Sequence, residues 1–356
     1  MAMGARDLFP RARVETVPIS DGGDDFLEVM RGLRGGRLIK TGARGPLGDV
    51  IQAPFLIKGR SAYIEMALAS GLALLKKSKR KLDALHASSQ GTGDLIRAAI
   101  DHGAREIVVG LGGSATNDGG AGMAQALGFK FLDGDARELP SGASPLLNLA
   151  RIVPPETRWR RRLRTVRFLG ISDVRNFLLG PQGSARTFAP QKGATAAQVQ
   201  LIEKALARLA RIARRDLGRQ AAGKPGSGAA GGLGFGLMAF LGAELRPGSD
   251  WVLKAAGVPR RLAGADAVLT GEGRLDRTSF HGKAPLILAR AARGQGVPVA
   301  LVCGSLDEAV RDRLASRGAK AIATLVEVAA GTDPLRHAAP LCRKAAALAL
   351  KRLFLA

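Results

Sequence analysis

The chain has 356 residues, 46% of them hydrophobic, with 47 glycines, two cysteines and only 4% aromatics. That length suits about two domains whose cores are built from Leu, Val, Ile and Ala, and Cys303 and Cys342, far apart and without a CxxC, exclude a disulfide framework or a zinc site. The net charge of +24 invites nucleic acid, but one Tyr, two Trp and no helix-turn-helix or RNA-binding signature argue against a specific nucleic-acid partner. No apolar run approaches the roughly 18 residues of a membrane span, and the N-terminus lacks the apolar stretch of a signal peptide. The expectation is a cytoplasmic, enzyme-like protein, monomer or homodimer, without a membrane or nucleic-acid partner.

In chain order, short strands are predicted over 37–39 and 53–57 around a Gly/Pro-rich loop, and a helix over 61–75. A helix over 93–102, closed by Gly103, precedes a strand over 106–109. The basic runs 76–81 and 158–164 read as solvated loops. A strand over 166–171 follows, then a long helix over 195–216 with Val199, Ile202, Leu206, Leu209 and Ile212 on one stripe. Strands over 267–269, 297–302 and 321–325 and a closing helix over 334–353 complete the pattern. Strands alternating with helices predict an α/β fold with a largely parallel sheet, whose ligands sit at the carboxyl ends of the strands.

The most informative segment is 110–122, GLGGSATNDGGAG, between the apolar run 107–109 and a helix expected over 119–127. A strand, a glycine turn and a helix start point backbone N–H groups at an anion. Gly112, Gly113, Ser114, Thr116, Asn117 and Asp118 are therefore candidate contacts to a phosphate or carboxylate.

Four further strand-end segments carry polar or glycine-rich chemistry. Segment 172–193 offers Asp173 as a base or metal ligand, Asn176, and Lys192 as a phosphate contact or a plain loop lysine. Segment 224–236, KPGSGAAGGLGFG, includes Gly226 and Gly228, which suit either a nucleotide's approach or close helix packing. Segment 270–285 holds Glu272, Arg274, Asp276 and Lys283. Phosphoryl transfer needs that mixture, carboxylates for Mg²⁺ and cations for the transferring group, although an ion-paired turn would look the same. The fourth segment, Gly304 and Ser305, closes the strand over 297–302. His281 has no identifiable partner, and neither a Walker A sequence nor a dinucleotide fingerprint is present.

GGSATNDGGAGM, SDVRN with LLGPQG and PQKGA, PGSGAAGGLGFG, and TGEGRLD with GKAP resemble the bacterial glycerate kinase family, over nearly the whole chain and in order. AYIEMALASGL at 62–72 and GTGDL at 91–95 also fit. The resemblance implies an ATP- and Mg²⁺-dependent kinase converting D-glycerate to 2-phosphoglycerate. It also implies two α/β domains, a flavodoxin-like one from both chain ends (1–40 with 258–356) and an inserted one (41–257), with substrates in the cleft. On that reading the Gly112 loop holds the carboxylate or a phosphate, with Asn176, Gly226 and Gly228 as further substrate contacts. Asp173 or Asp118 orients the hydroxyl or the metal. Glu272 and Asp276 serve the metal, and Arg274, Lys192 and Lys283 neutralise phosphoryl charge.

The sequence departs from the family pattern at several points. The family's opening strand and its APDSFKGSLSA-like segment have no counterpart, so the resemblance implies that the first strand of the flavodoxin-like sheet is missing. The family's ADGGEGT becomes Asp21-Gly22-Gly23 followed by Asp24-Asp25-Phe26, and Gln90, Phe177 and Thr278 replace residues usual there. A weak or catalytically silent paralogue that binds a small hydroxy acid or nucleotide is the alternative reading.

Overall fold

The computed structural model describes residues 1–281 and 283–355; Gly282 of the GKAP segment and the side chains of Thr278 and His281 lie outside the described residues. The chain divides into two compact units, Ser20–Gly248 and Met1–Ile19 with Ser249–Ala356. These bounds differ from the sequence expectation in residues 20–40 and 249–257.

In the unit Ser20–Gly248, a six-stranded sheet runs in the order β1-β2-β3-β4-β7-β8. Its members are β1 (Arg37–Arg44), β2 (Val50–Lys58), β3 (Ser61–Glu65), β4 (Glu106–Gly110), β7 (Arg167–Ile171) and β8 (Glu244–Arg246), while β5 (Lys130–Leu132) and β6 (Arg151–Val153) form a separate antiparallel pair. The β1–β2 and β2–β3 pairings are antiparallel and only β3–β4, β4–β7 and β7–β8 are parallel, so this sheet is mixed.

The predicted helix over 61–75 is corrected. Residues Ser61–Glu65 form β3, followed by short helices Ala67–Ser70 and Leu72–Lys77. Ala62, Tyr63, Ile64 and Glu65 are all buried, because β3 lies between β2 and β4. A strand covered on both faces reads as a continuous apolar run, which helical spacing mimics over a few residues. The basic run 158–164 is likewise a helix, Thr157–Arg164, rather than a loop. Leu163 anchors it in the core, and Trp159 is stacked between the guanidinium groups of Arg97 (4.5 Å) and Arg162 (4.7 Å).

The long helix is found at Ala196–Leu217 with Thr195 as its N-cap, in a reciprocal capping box with Gln198. Its stripe Ile202, Leu206, Leu209 and Ile212 joins one core with Ile64, Ile96, Ile107, Val109, Met123 and Phe235.

In the other unit, three parallel strands lie in the order β11-β10-β9: β9 (Val268–Leu275), β10 (Val299–Leu306) and β11 (Ala319–Thr324). Helix Ala338–Phe354 covers β10 and β11 through Leu341, Ala345 and Ala349. Helix Ala2–Leu8 packs on it so closely that a Cβ on Gly4 would lie 2.1 Å from the Arg343 carbonyl, and Arg343 grips Asp7 with two bonds of 2.6 Å.

Candidate functional site

The ends of β4 and β7 lie side by side, since Gly110 pairs with Ile171 in parallel register. The glycine loop leaves β4 and Ser172–Asp173 leaves β7, so two of the predicted segments emerge next to each other. A third joins them. Gly22 has φ +92°, and a Cβ there would lie 2.5 Å from the Ile171 carbonyl; one on Gly112 would lie 2.3 Å from Gly23 Cα. The turn containing Asp21 and Asp24 therefore rests directly on the strand ends, which only glycine allows. Asp24 Oδ1 lies 2.7 Å from where a Gly113 Cβ would be.

Asp24 and Glu65 were not singled out from sequence. Glu65 ends β3, is 6% exposed and accepts the Leu27 N–H at 3.0 Å, holding the start of helix Phe26–Arg34. Burial raises its pKa, and nearby Asp24 and Asp25 push the same way. Its one sequence signal was a carboxylate inside an apolar run.

Within the loop, Gly112 is half-buried and Gly113 exposed at the tip, while Ser114, Thr116, Asn117 and Asp118 are buried. The loop is pinned along its length: Leu72 N–H donates to the Gly113 carbonyl (2.8 Å), Ala115 N–H to Ser70 (2.9 Å) and Gly119 N–H to Gly231 (3.1 Å). Asp118 is wholly buried. Its carboxylate accepts from Ser89 N–H (2.8 Å), Ser89 Oγ (2.9 Å), Gly120 N–H (3.1 Å) and Gly122 N–H (3.1 Å). Burial raises its pKa, and those four donors oppose the rise. The carboxylate thus faces Ser89 and the start of helix Ala121–Ala126. Asn117 donates to the Ala84 carbonyl at 3.1 Å.

Lys192 is 2% exposed, and its ammonium donates to Ser114 Oγ (2.8 Å) and the Thr116 carbonyl (2.6 Å). Burial drops its pKa to about 7, against the pull of Asp118.

Gly226 and Gly228 lie where backbones meet. A Cβ on Gly228 would lie 2.4 Å from the Phe177 carbonyl, and Gly228 N–H donates to the Asn176 carbonyl at 2.9 Å. Asn176 turns its side-chain amide to the Gln182 carbonyl at 2.7 Å. Farther on, Ala230, Gly231 and Gly232 adopt left-handed angles inside helix Ala229–Leu241, laying that kink against Thr116 and Gly119. Of the two uses left open for this glycine run, close packing is the one these contacts support.

The remaining candidates belong to the other unit, where β9 carries Glu272 and Arg274. Lys283 Nζ lies 3.3 Å from Glu272 Oε2, Ser279 Oγ donates to Glu272 Oε1, and Arg274 pairs with Asp276 at 3.5 Å. Ser279 is buried, and its Oγ also accepts from the Asp276 N–H at 3.2 Å. No group of three His, Cys, Asp or Glu side chains arranged for a metal occurs among the described residues. Two carboxylates nevertheless suit Mg²⁺, which binds through one or two carboxylates and fills its shell with water and phosphate oxygen. Among the described residues no helix is long and apolar enough to cross a membrane.

Comparison with known proteins identifies the family. Residues 1–353 match the glycerate kinase family. The glycerate kinase of Halalkalibacterium halodurans is 42% identical over 308 residues, 86% of this chain and 80% of that protein. The glycerate 2-kinase of Escherichia coli K12 is 41% identical over 309 residues, again 86% and 80%. A crystal structure of a candidate glycerate kinase 2 from Salmonella typhimurium LT2 superposes with a TM-score of 0.80 at 38% identity, covering 99% of this chain and 91% of that one. The chain belongs to the glycerate kinase family, and with it to the ATP-using kinases.

Proposed function

We propose that the protein phosphorylates D-glycerate with ATP to give 2-phosphoglycerate, in the cytoplasm. The observation that carries this reading is the junction of β4 and β7, where the glycine loop emerges next to the segment that holds Asp173. A small hydroxy acid needs both functions: N–H groups for its carboxylate and a carboxylate for its hydroxyl proton. The tip of the loop, residues 112–114, holds the substrate carboxylate. Asp173 orients the hydroxyl and accepts its proton as the oxygen attacks the terminal phosphorus. Arg274 and Lys283 neutralise charge on the transferring group.

Glu272 and Asp276 would hold Mg²⁺, which when bound supplies positive charge to the phosphate oxygens. Asp118 is assigned a supporting part, since its four donors leave it holding Ser89 and the start of helix Ala121–Ala126 in place.

The test is a D-glycerate-dependent release of ADP with 2-phosphoglycerate identified as the product. Asp173→Asn is expected to lower kcat by ~10²–10⁴-fold, the usual contribution of a positioned base, with Tm within a few degrees of wild type. No turnover with D-glycerate would overturn the substrate assignment. Equal losses of turnover and stability would make Asp173 a structural residue.

A further inference from the structure

We propose that Lys192 is a positioning residue for glycerate binding: from inside the unit its ammonium clamps residues 114–116, and so sets the shape in which the loop tip offers its N–H groups to the substrate carboxylate. This deepens the kinase reading and rests on it. It also departs from the role the sequence suggested for Lys192, direct contact with a phosphate.

The geometry argues for the clamp. A side chain 2% exposed is not placed to touch a solvent-borne substrate, yet it spends two of its three N–H donors on one three-residue stretch, at 2.8 and 2.6 Å. The opposite side of that stretch is tied down by Ser70 and by the bridge between Gly71 and Ser114. The loop is thus held between backbone on one side and a single ammonium on the other. Thr116 Oγ1 is also buried without a hydrogen-bond partner, which leaves the ammonium as the main polar tie on this face of the segment.

The lysine's own position is over-determined. It closes a 3₁₀ turn, Pro190–Lys192, begun by proline and ended by Gly193 at φ +89°, where a Cβ would lie 2.8 Å from Leu82 Cβ. This gives the PQKGA run a physical meaning: a rigid turn that delivers one cation into the interior. A buried ammonium costs free energy unless it is hydrogen-bonded and near a countercharge. The charged groups on the surrounding elements are Asp118 on the loop, Arg186 on helix Ser184–Phe188, and Asp83 and His86 beside Leu82. Asp118 is the one whose charge acts on the ammonium.

Because burial brings the titration of Lys192 down to about 7, the clamp loosens as pH rises through neutrality. Neutral amine still donates, but without charge assistance, so the bonds weaken by about half.

The experiment compares wild type, Lys192→Met and the milder Ser114→Ala, which removes one acceptor and keeps the lysine. Steady-state kinetics with D-glycerate is measured from pH 6 to 9, and hydrogen exchange is followed in the absence of substrate. For K192M the expected result is a KM for glycerate raised about tenfold, the equivalent of ~1.4 kcal/mol, with kcat within threefold of wild type. The wild-type limb of kcat/KM that falls with rising pH disappears in K192M. Amides of residues 112–116 exchange at least tenfold faster, while those of helix Ala196–Leu217 are unchanged. If K192M does not fold, S114A carries the test, with a smaller rise in KM and the same local loss of protection.

A drop in kcat with KM unchanged would make Lys192 a catalytic contact and overturn the proposal. So would an unaltered pH profile and KM, or faster exchange spread evenly over the unit. If the wild type does not turn over D-glycerate, the kinase reading fails on its own; the exchange pattern still decides whether Lys192 holds the loop.

Discussion

The substitution that most directly probes how the loop is built is Gly231→Ala. Gly231 has φ +67°, and a Cβ there would lie 1.7 Å from the Thr116 carbonyl oxygen, 2.6 Å from its carbon and 2.9 Å from Asn117 Cα. All three neighbours are backbone, so no rotamer change relieves the overlap. The two segments must separate by roughly 1.5 Å to reach ordinary contact, which breaks the 3.1 Å bond from Gly119 N–H to the Gly231 carbonyl. A left-handed alanine costs ~1–2 kcal/mol, overpacking ~1–3 kcal/mol and the lost bond about 1 kcal/mol. The sum, about 3–6 kcal/mol, is a large part of the ~5–15 kcal/mol that holds a domain together. For a protein of this size it lowers Tm by about 6–24 °C, at ~2–4 °C per kcal/mol. Differential scanning calorimetry reads the shift, and the same sample's KM for glycerate reads the displaced loop. A Tm within ~2 °C of wild type, with unchanged kinetics, would refute the claim that this glycine permits the backbone approach.

Gly32 makes the opposite case. It sits inside helix Phe26–Arg34 with nothing within 4 Å of a new Cβ, so Gly32→Ala should stabilise by ~0.5–1 kcal/mol in urea unfolding. Thr195→Ala removes half of the capping box of helix Ala196–Leu217 and should cost about 1 kcal/mol in the same assay. The pH dependence of stability has a definite sign at Lys192. Its pKa falls from 10.5 in the unfolded chain to about 7 when folded, so below pH 7 the full cost of burying the charge is present. Between pH 7 and 10.5 the unfolded chain holds more protons, and this group's contribution to stability improves as pH rises. The difference between wild type and K192M should change over that window by up to about 5 kcal/mol, measured by denaturant unfolding at several pH values; a pH-independent difference would show that Lys192 titrates normally.

The placement of much of the candidate site was legible in the chain because its segments are local. A strand, a glycine turn and a helix start are consecutive residues, so 106–126 could be read directly, as could Gly103 at a helix end and Thr195 at a helix start. The position of Asp173 at a strand end was legible because it closely follows an apolar strand. What escaped was set by neighbours distant in sequence. The burial of β3 on both faces depends on β2 and β4, and without them 61–65 looks helical. Asp24 enters the neighbourhood of the loop only because Gly22 and Gly23 settle on the strand ends, and Glu65 because β3 pairs with β4.

The sequence by itself determined the family, the α/β class and the set of residue types that phosphoryl transfer requires, because these reside in ordered motifs and short-range periodicity. Only the tertiary structure decided which of those residues face outward and which hold others in place. Gly112 and Asp118 belong to one motif, yet one sits at the loop tip and the other is enclosed by four donors. Lys192 lies about eighty residues from the loop in sequence and inside it in space. Burial and hydrogen bonding are properties of what surrounds a side chain, and that is assembled only when distant segments pack.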